Sequence, residues 1–191
     1  MSFLKTRFGF KTRLGLFLSV GTLMAATAAP AHAELVSAAN PKAIFAIAKA
    51  EGYAPEMLEN KGSAPSFRMK VNDANSLVLF MNCDDNHANC KTLQFYIGYS
   101  ASDAVNAGRV NDWNREKRFS RAYIDSSGDP VMEMDLDLDF AGLPRENVTE
   151  AFNLWAALTS SFSSFIFQEA GAEDSAESPK AYADEAMAAE K

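Results

Sequence analysis

Two cysteines and two histidines are all that this 191-residue chain holds of the side chains that most often bind transition metals or serve nucleophilic catalysis. His87 is the single histidine after residue 33, so a Ser-His or Cys-His centre has one candidate base. That base sits in a polar loop with no evident orienting partner. The chain has no nucleophile elbow, P-loop, dinucleotide-binding glycine pattern or paired-histidine zinc motif. A carboxylate pair is the one hydrolytic chemistry these absences leave open, and no cofactor is called for. Basic residues are also few: 18 Lys and Arg stand against 25 Asp and Glu, a net charge of −7. A surface of that sign excludes nucleic acid and anionic lipid, which need a basic stripe, and on charge alone favours cationic protein segments.

Long apolar runs are scarce too. The longest, LGLFLSVGTLMAATAA (14–29), has 16 residues, short of the roughly 20 that span a bilayer. Lys5, Arg7, Lys11 and Arg13 precede it, and Ala31-His32-Ala33 supplies the small-x-small pattern a signal peptidase cuts. The pattern predicts a cleaved Sec-type signal over 1–33, with cleavage after Ala33 and a periplasmic or secreted product that makes no stable membrane insertion. A retained anchor is the alternative. No cysteine follows the run as in a lipoprotein, and no Arg-Arg pair precedes it as in a twin-arginine signal. The signal takes four basic residues and no acid, leaving 14 bases against 25 acids, a net of −11 from Glu34 onward.

The far end is poor in large apolar residues. Residues 169–191 hold seven acids and eight alanines, with Tyr182 and Met187 the only bulky apolar groups. Such composition predicts a disordered acidic tail, in which Ser178-Pro179 can start only a marginal helix. One domain, 34–168, remains.

Within it, Asn40-Pro41 opens a helix with Ile44, Ile47 and Ala48 on one face and Gly52 at its end. SFRMKVN (66–72) alternates as a half-buried strand, and 73–76 make a turn. LVLFM (77–81) is apolar throughout, as in a strand covered on both faces or one at the sheet centre. Leu93, Phe95, Ile97 and Tyr99 mark a third strand. Ser102 can cap a second helix carrying Val105 and Trp113. RAYID (121–125) and VMEMDLDLDF (131–140) flank a turn, and Gly142-Leu143-Pro144 precedes a last helix with Val148, Phe152, Trp155, Leu158, Phe162 and Phe165 in one stripe. A short extra strand near 56–60 is compatible with the pattern. Helix, three strands, helix, two strands, helix predicts an α+β domain: an antiparallel sheet of about five strands with three helices packed mainly on one face.

In the second hairpin, apolar Ala122 and Ile124 must share a face with Met132, Met134, Leu136 and Leu138, since a one-residue slip exposes a whole face. Pairing Ile124 with Met132 and Ala122 with Met134 achieves this. It leaves Ser127, Gly128 and Asp129 as the loop and sets Tyr123 against Glu133 and Arg121 against Asp135.

The segments CDDNHANCKTLQFYIGY (83–99) and VNDWNREKRFSRAYIDSSGDPVMEMDLDL (110–138), followed by a Phe/Trp-rich helix, resemble the YbjN family of bacterial sensory transduction regulators over about 40–168. The most specific run is Trp113, Asn114, Arg118, Phe119, Arg121, Ala122, Tyr123, Asp125 and Gly128. The resemblance implies a fold similar to type III secretion chaperones and carries over no catalytic residue. The export signal departs from a cytosolic regulatory role.

Cys83 and Cys90 end one strand and begin the next across a polar six-residue loop. Export to an oxidising compartment and an even count favour a disulfide. The alternatives are a metal site built from Cys83, Asp84, Asp85, His87 and Cys90, whose C-x6-C spacing is not a usual zinc spacing, and a redox site, for which C-x-x-C is absent. Glu133, Asp135, Asp137 and Asp139 form an acidic row, read as a solvated strand face or as a dock for calcium or a basic peptide. Alternate strand residues about 6.6–6.8 Å apart suit calcium poorly. Trp113, Phe152, Trp155 and Phe162 are core aromatics or else the lining of a partner groove. The Asn147 sequon falls within a predicted helix and is discounted. The expected function is a non-catalytic exported module that binds a protein or peptide, with a homodimer as one form. A small-ligand or metal-binding envelope protein and a hydrolase are the rival readings.

Overall fold

The computed structural model of the protein describes residues 34–58, 62–102 and 105–167. The expected signal and acidic tail lie outside the described residues. The elements run β1 (Leu35–Val36), α1 (Pro41–Ala50), β2 (Glu56–Met57), β3 (Ser66–Val71), β4 (Ala74–Met81), β5 (Thr92–Gly98), α2 (Ala107–Glu116), β6 (Arg121–Ile124), β7 (Pro130–Asp137), β8 (Leu143–Pro144) and α3 (Arg145–Phe167). Six strands form one antiparallel sheet in the order β2-β3-β4-β5-β7-β6. The architecture is the expected α+β. The extra strand near 56–60 is real and brings the main sheet to six.

Local chemistry accounts for the element ends. Asn40 caps α1, its side chain accepting from the Ala43 amide, and Pro41 occupies the first turn, where a missing N–H costs nothing. The second helix starts later than Ser102 suggests. Asn106 has the extended backbone of a cap, and its Oδ1 accepts from the Arg109 amide at 3.0 Å. The β3–β4 turn is the two-residue Asn72-Asp73, both at positive φ (49° and 65°), the twist a two-residue hairpin requires. That moves the turn ahead of the expected 73–76.

One short ribbon has no counterpart in the sequence reading. β1 pairs with β8, and the Arg145 amide donates to the Glu34 carbonyl at 3.1 Å. Gly142, at φ +84°, runs so close to the Val36 carbonyl that any Cβ there would overlap it. The ribbon ties the chain's approach to α1 onto the start of α3.

The core lies between one sheet face and all three helices. Phe67, Met69, Val78, Phe80, Leu93, Phe95, Ile97, Met132 and Met134 from the sheet meet Ile44 and Ile47 of α1, Val110 and Trp113 of α2, and Phe152, Trp155 and Phe162 of α3. Aromatic rings join in tilted and edge-to-face contacts, such as Phe95–Phe152 at 5.1 Å and Trp113–Phe162 at 5.0 Å. The polar ends are satisfied inside: Trp155 Nε1 donates to Ser76 Oγ at 2.8 Å, and Ser76 Oγ donates to the Tyr96 carbonyl.

The β6–β7 register differs from the expected one by two residues. Arg121 pairs with Glu133, Ala122 with Met132, and Ile124 with Pro130. The parity holds, so Ala122 and the Met132/Met134 pair still face the core. The loop is three residues long, as expected, but it is Ser126-Ser127-Gly128. Gly128 N–H closes a turn on the Asp125 carbonyl (3.1 Å), and the Asp125 amide then bonds the Asp129 carbonyl (2.9 Å). In such loops the positive-φ residue comes last, not in the middle, and Gly128 at φ +87° takes that place. Asp125 Oδ1 fixes the choice by accepting from both Ser127 N and Asp129 N.

Candidate interaction surface

Cys83 and Cys90 are joined by a disulfide with an S–S distance of 2.07 Å. They continue the β4–β5 register beyond Met81↔Thr92 and close the neck of the hairpin. Their Cα atoms are 3.8 Å apart, nearer than the roughly 5.5–6 Å typical of disulfides, and Asn82 beside Cys83 holds a φ of +54°. Asp84 organises the enclosed loop. Its Oδ1 accepts from the Asn86 and Ala88 amides and its Oδ2 from Asn89 Nδ2, which holds its pKa below the usual carboxylate value. A carboxylate so occupied is a loop brace rather than a waiting ligand. No group of three or more His, Cys, Asp or Glu converges among the described residues. An open dent of about 510 Å³ lies beside the loop, lined by residues including Met81, Asp84, Asp85 and His87.

The acidic row does not act as a unit. Glu133 is buried at 6 % exposure, under an ion pair with Arg121 and a 2.8 Å hydrogen bond from Tyr123 OH. Burial, followed by that bond to Glu133, pushes the Tyr123 phenol up to about 12, and the same carboxylate raises Arg121. Asp135 is exposed and accepts from Gln94 Nε2. Asp137 accepts from the Asp139 amide. Asp139 lies past the end of β7, pairs with Lys91 and accepts from the Phe140 amide, the larger cause of its lowered pKa. Arg121 is therefore the counter-charge of Glu133, not of Asp135. The row has one buried member, two strand-face members and one loop member.

The aromatic stripe offers no groove. Trp113, Phe152, Trp155 and Phe162 are each fully buried in the core. The run around Trp113 is a set of structural joints. Trp113 Nε1 donates to Ser120 Oγ. Asn114 clamps the free edge of β6: its Oδ1 accepts from the Ala122 amide and its Nδ2 donates to the Ala122 carbonyl, both at 2.8 Å. This replaces the missing neighbour strand and closes an edge to further pairing. Arg118 sits over the Phe119 ring, and Phe119 holds a positive φ of 67°.

The uncovered surface lies on the other side of the sheet. LVLFM was expected to be covered on both faces or to lie at the sheet centre; β4 is central, and of these five residues Val78 and Phe80 enter the core. Leu77, Leu79 and Met81 lie on the opposite face and outside the core cluster, the two leucines half-buried and Met81 exposed. Tyr96 and Gln94 of β5 stand beside them. The register sets one residue row across all six strands: Glu56, Arg68, Leu77, Tyr96, Glu133, Arg121. An apolar middle on β4 and β5 is thus flanked by a basic β3 (Arg68, Lys70) and an acidic β7 (Glu133, Asp135, Asp137). A signal for this face was present in the sequence. One strand apolar on both sides, set between strands that strictly alternate, leaves its second side without a helix to meet it.

Against known families, the model described as "YbjN: Putative bacterial sensory transduction regulator" matches residues 40–168. No curated protein matches the chain. Among solved structures, an uncharacterised protein from Methanothermobacter thermautotrophicus is similar at 10 % identity and a TM-score of 0.44, over 65 % of this chain and 95 % of that one. The Yersinia pestis type III secretion chaperone SycH, solved with a stable fragment of YscM2, is similar at 12 % identity and a TM-score of 0.43, over 65 % and 97 %.

Proposed function

We propose, from the premise that this chain belongs to the YbjN family, that it is a non-catalytic module exported to the cell envelope that binds a protein or peptide partner there. The family description, a sensory transduction regulator, points to a protein that acts by contact. The observation that carries the reading is the uncovered sheet face, where Leu77, Leu79, Met81 and Tyr96 form an apolar strip between charged borders. Continuous apolar surface rimmed by polar groups is the signature of a protein-binding site. Export is supported by the basic start, the short apolar run and the Ala31-His32-Ala33 cleavage pattern.

The test is capture from a periplasmic extract with the chain 34–191, alongside Leu79→Lys. A protein retained by the parent and lost on Leu79→Lys is the expected result. Retention of the same proteins by both would remove this face as the binding surface. Turnover of a substrate panel by the purified chain would overturn the non-catalytic reading.

A further inference from the structure

The charge order on the uncovered face identifies an occupant for it: the geometry points to a second copy of this chain, packed sheet to sheet about a two-fold axis. This rests on the reading of the face as a protein-binding surface. The axis lies in the interface, parallel to the strands and between β4 and β5. Such a rotation lays β4 on the other copy's β5, β3 on its β7 and β2 on its β6, because the six strands divide evenly about that line. Each residue row then faces itself in reverse. The row Glu56, Arg68, Leu77, Tyr96, Glu133, Arg121 becomes Glu–Arg, Arg–Glu, Leu–Tyr and their symmetry mates. Every charge meets its opposite, and the apolar pair sits at the centre. This is the self-complementarity an isologous two-fold interface requires.

The neighbouring rows add no opposite-charge pair but no clash either: Ser66 and Leu79 face Asp135 and Gln94, and Lys70 faces Val131, so no like charges are brought together. Within each copy Glu56 is paired with Arg68 and Arg121 with the buried Glu133, so the two sheets meet as alternating ion pairs whose exposed members are Glu56 (67 %), Arg121 (66 %) and Arg68 (46 %). The product is a four-layer arrangement with helices outside and two sheets about 10 Å apart inside. A face about six strands wide and six residues long offers on the order of 500 Å² per copy. The total, roughly 1,000 Å², is at the lower limit for a specific interface, the size class of weak, reversible complexes.

Sedimentation velocity of the chain 34–191, from about 1 to 200 µM, tests this. The expected result is a reversible rise to twice the chain mass, abolished by Leu79→Lys with unchanged circular dichroism. Glu56→Arg, an exposed edge substitution that touches no core residue, covers the case in which Leu79→Lys fails to fold. It reverses two symmetry-related contacts and should weaken the dimer roughly tenfold. A parent chain that stays monomeric to 200 µM overturns the proposal. So does a dimer indifferent to both substitutions, which would use another surface. If the parent is monomeric but captures a foreign protein that Leu79→Lys loses, the second copy is wrong and the binding face stands. If it also captures nothing through that face, both readings fall.

Discussion

Glu133 shows how one residue changes role once its neighbours are placed. In sequence it is the first of four alternating acids; in the fold it is nearly enclosed by Arg121, Tyr123 and the adjacent Tyr96. A buried carboxylate stripped of its partners costs several kcal/mol, so the three side chains stand or fall together. The linked titration has a definite sign. The Tyr123 phenol is raised from 10.0 to about 12, so its contribution is fully present below pH 10 and is lost as pH rises through about 12. Burial also raises Tyr53, Tyr96 and Tyr99, so absorbance near 295 nm should show several late tyrosine steps, and Tyr123→Phe should remove the latest. A Tyr123→Phe spectrum with the latest step intact would assign it elsewhere. The disulfide belongs to the same scale. The double substitution Cys83→Ala/Cys90→Ala should lower unfolding free energy by roughly 2 kcal/mol, as expected for freeing a short loop. Thiol labelling of the unreduced protein should find no free cysteine, and two reactive thiols would contradict the bond.

Among elements, edges and turns set what the hydrophobic pattern leaves open. The parity of β6 against β7 was legible, since Ala122 and Met132 must both reach the core. The register was not, because moving by two residues keeps every face. Asp125 and Gly128 decide it, and their roles depend on which loop position takes positive φ. The strand order was equally hidden: β7, not β6, lies beside β5, and no local pattern encodes that choice. Two substitutions separate a glycine that turns from one that yields space. Gly128→Ala meets nothing within 4 Å and should cost only the left-handed backbone penalty, about 1 kcal/mol. Gly142→Ala carries the same penalty and also overlaps the Val36 carbonyl, so about 3 kcal/mol and loss of amide protection at Leu143 are expected. Equal destabilisation by the two would mean the β1–β8 ribbon is not held at that contact. Asn114→Ala removes two hydrogen bonds from the β6 edge and should cost about 2 kcal/mol. Faster exchange at the Ala122 amide is its specific readout, and unchanged exchange would show that the clamp is not what covers this edge.

At the scale of the molecule, the α+β class and the helix faces could be read from the chain because their periods repeat over many residues. The site could not. In sequence Trp113, Phe152, Trp155 and Phe162 read first as core aromatics, with a groove as the alternative, and the three-dimensional packing puts all four in the core. The face we propose for binding instead falls on the strand whose apolar residues exceed what the core needs. One core spanning all three helices also fixes how the body should unfold. Trp113 sits where α2 meets the end of α3, through Phe162 and Phe165, while Trp155 sits against Phe95 and Ser76 at the sheet centre. In the single-tryptophan variants Trp113→Phe and Trp155→Phe, the remaining indole therefore reports opposite regions of the same cluster. Within each variant, indole fluorescence and far-ultraviolet circular dichroism should give one coincident denaturant transition. Trp155→Phe should have the lower midpoint, because its lost bond leaves the fully buried Ser76 without its donor whereas Trp113→Phe loses a bond to half-buried Ser120, with an unchanged slope. Separate midpoints for fluorescence and circular dichroism in Trp155→Phe would show that α2 and β6 leave the sheet before the rest. The Asn114 clamp would then be a hinge between two cooperative units instead of a joint within one.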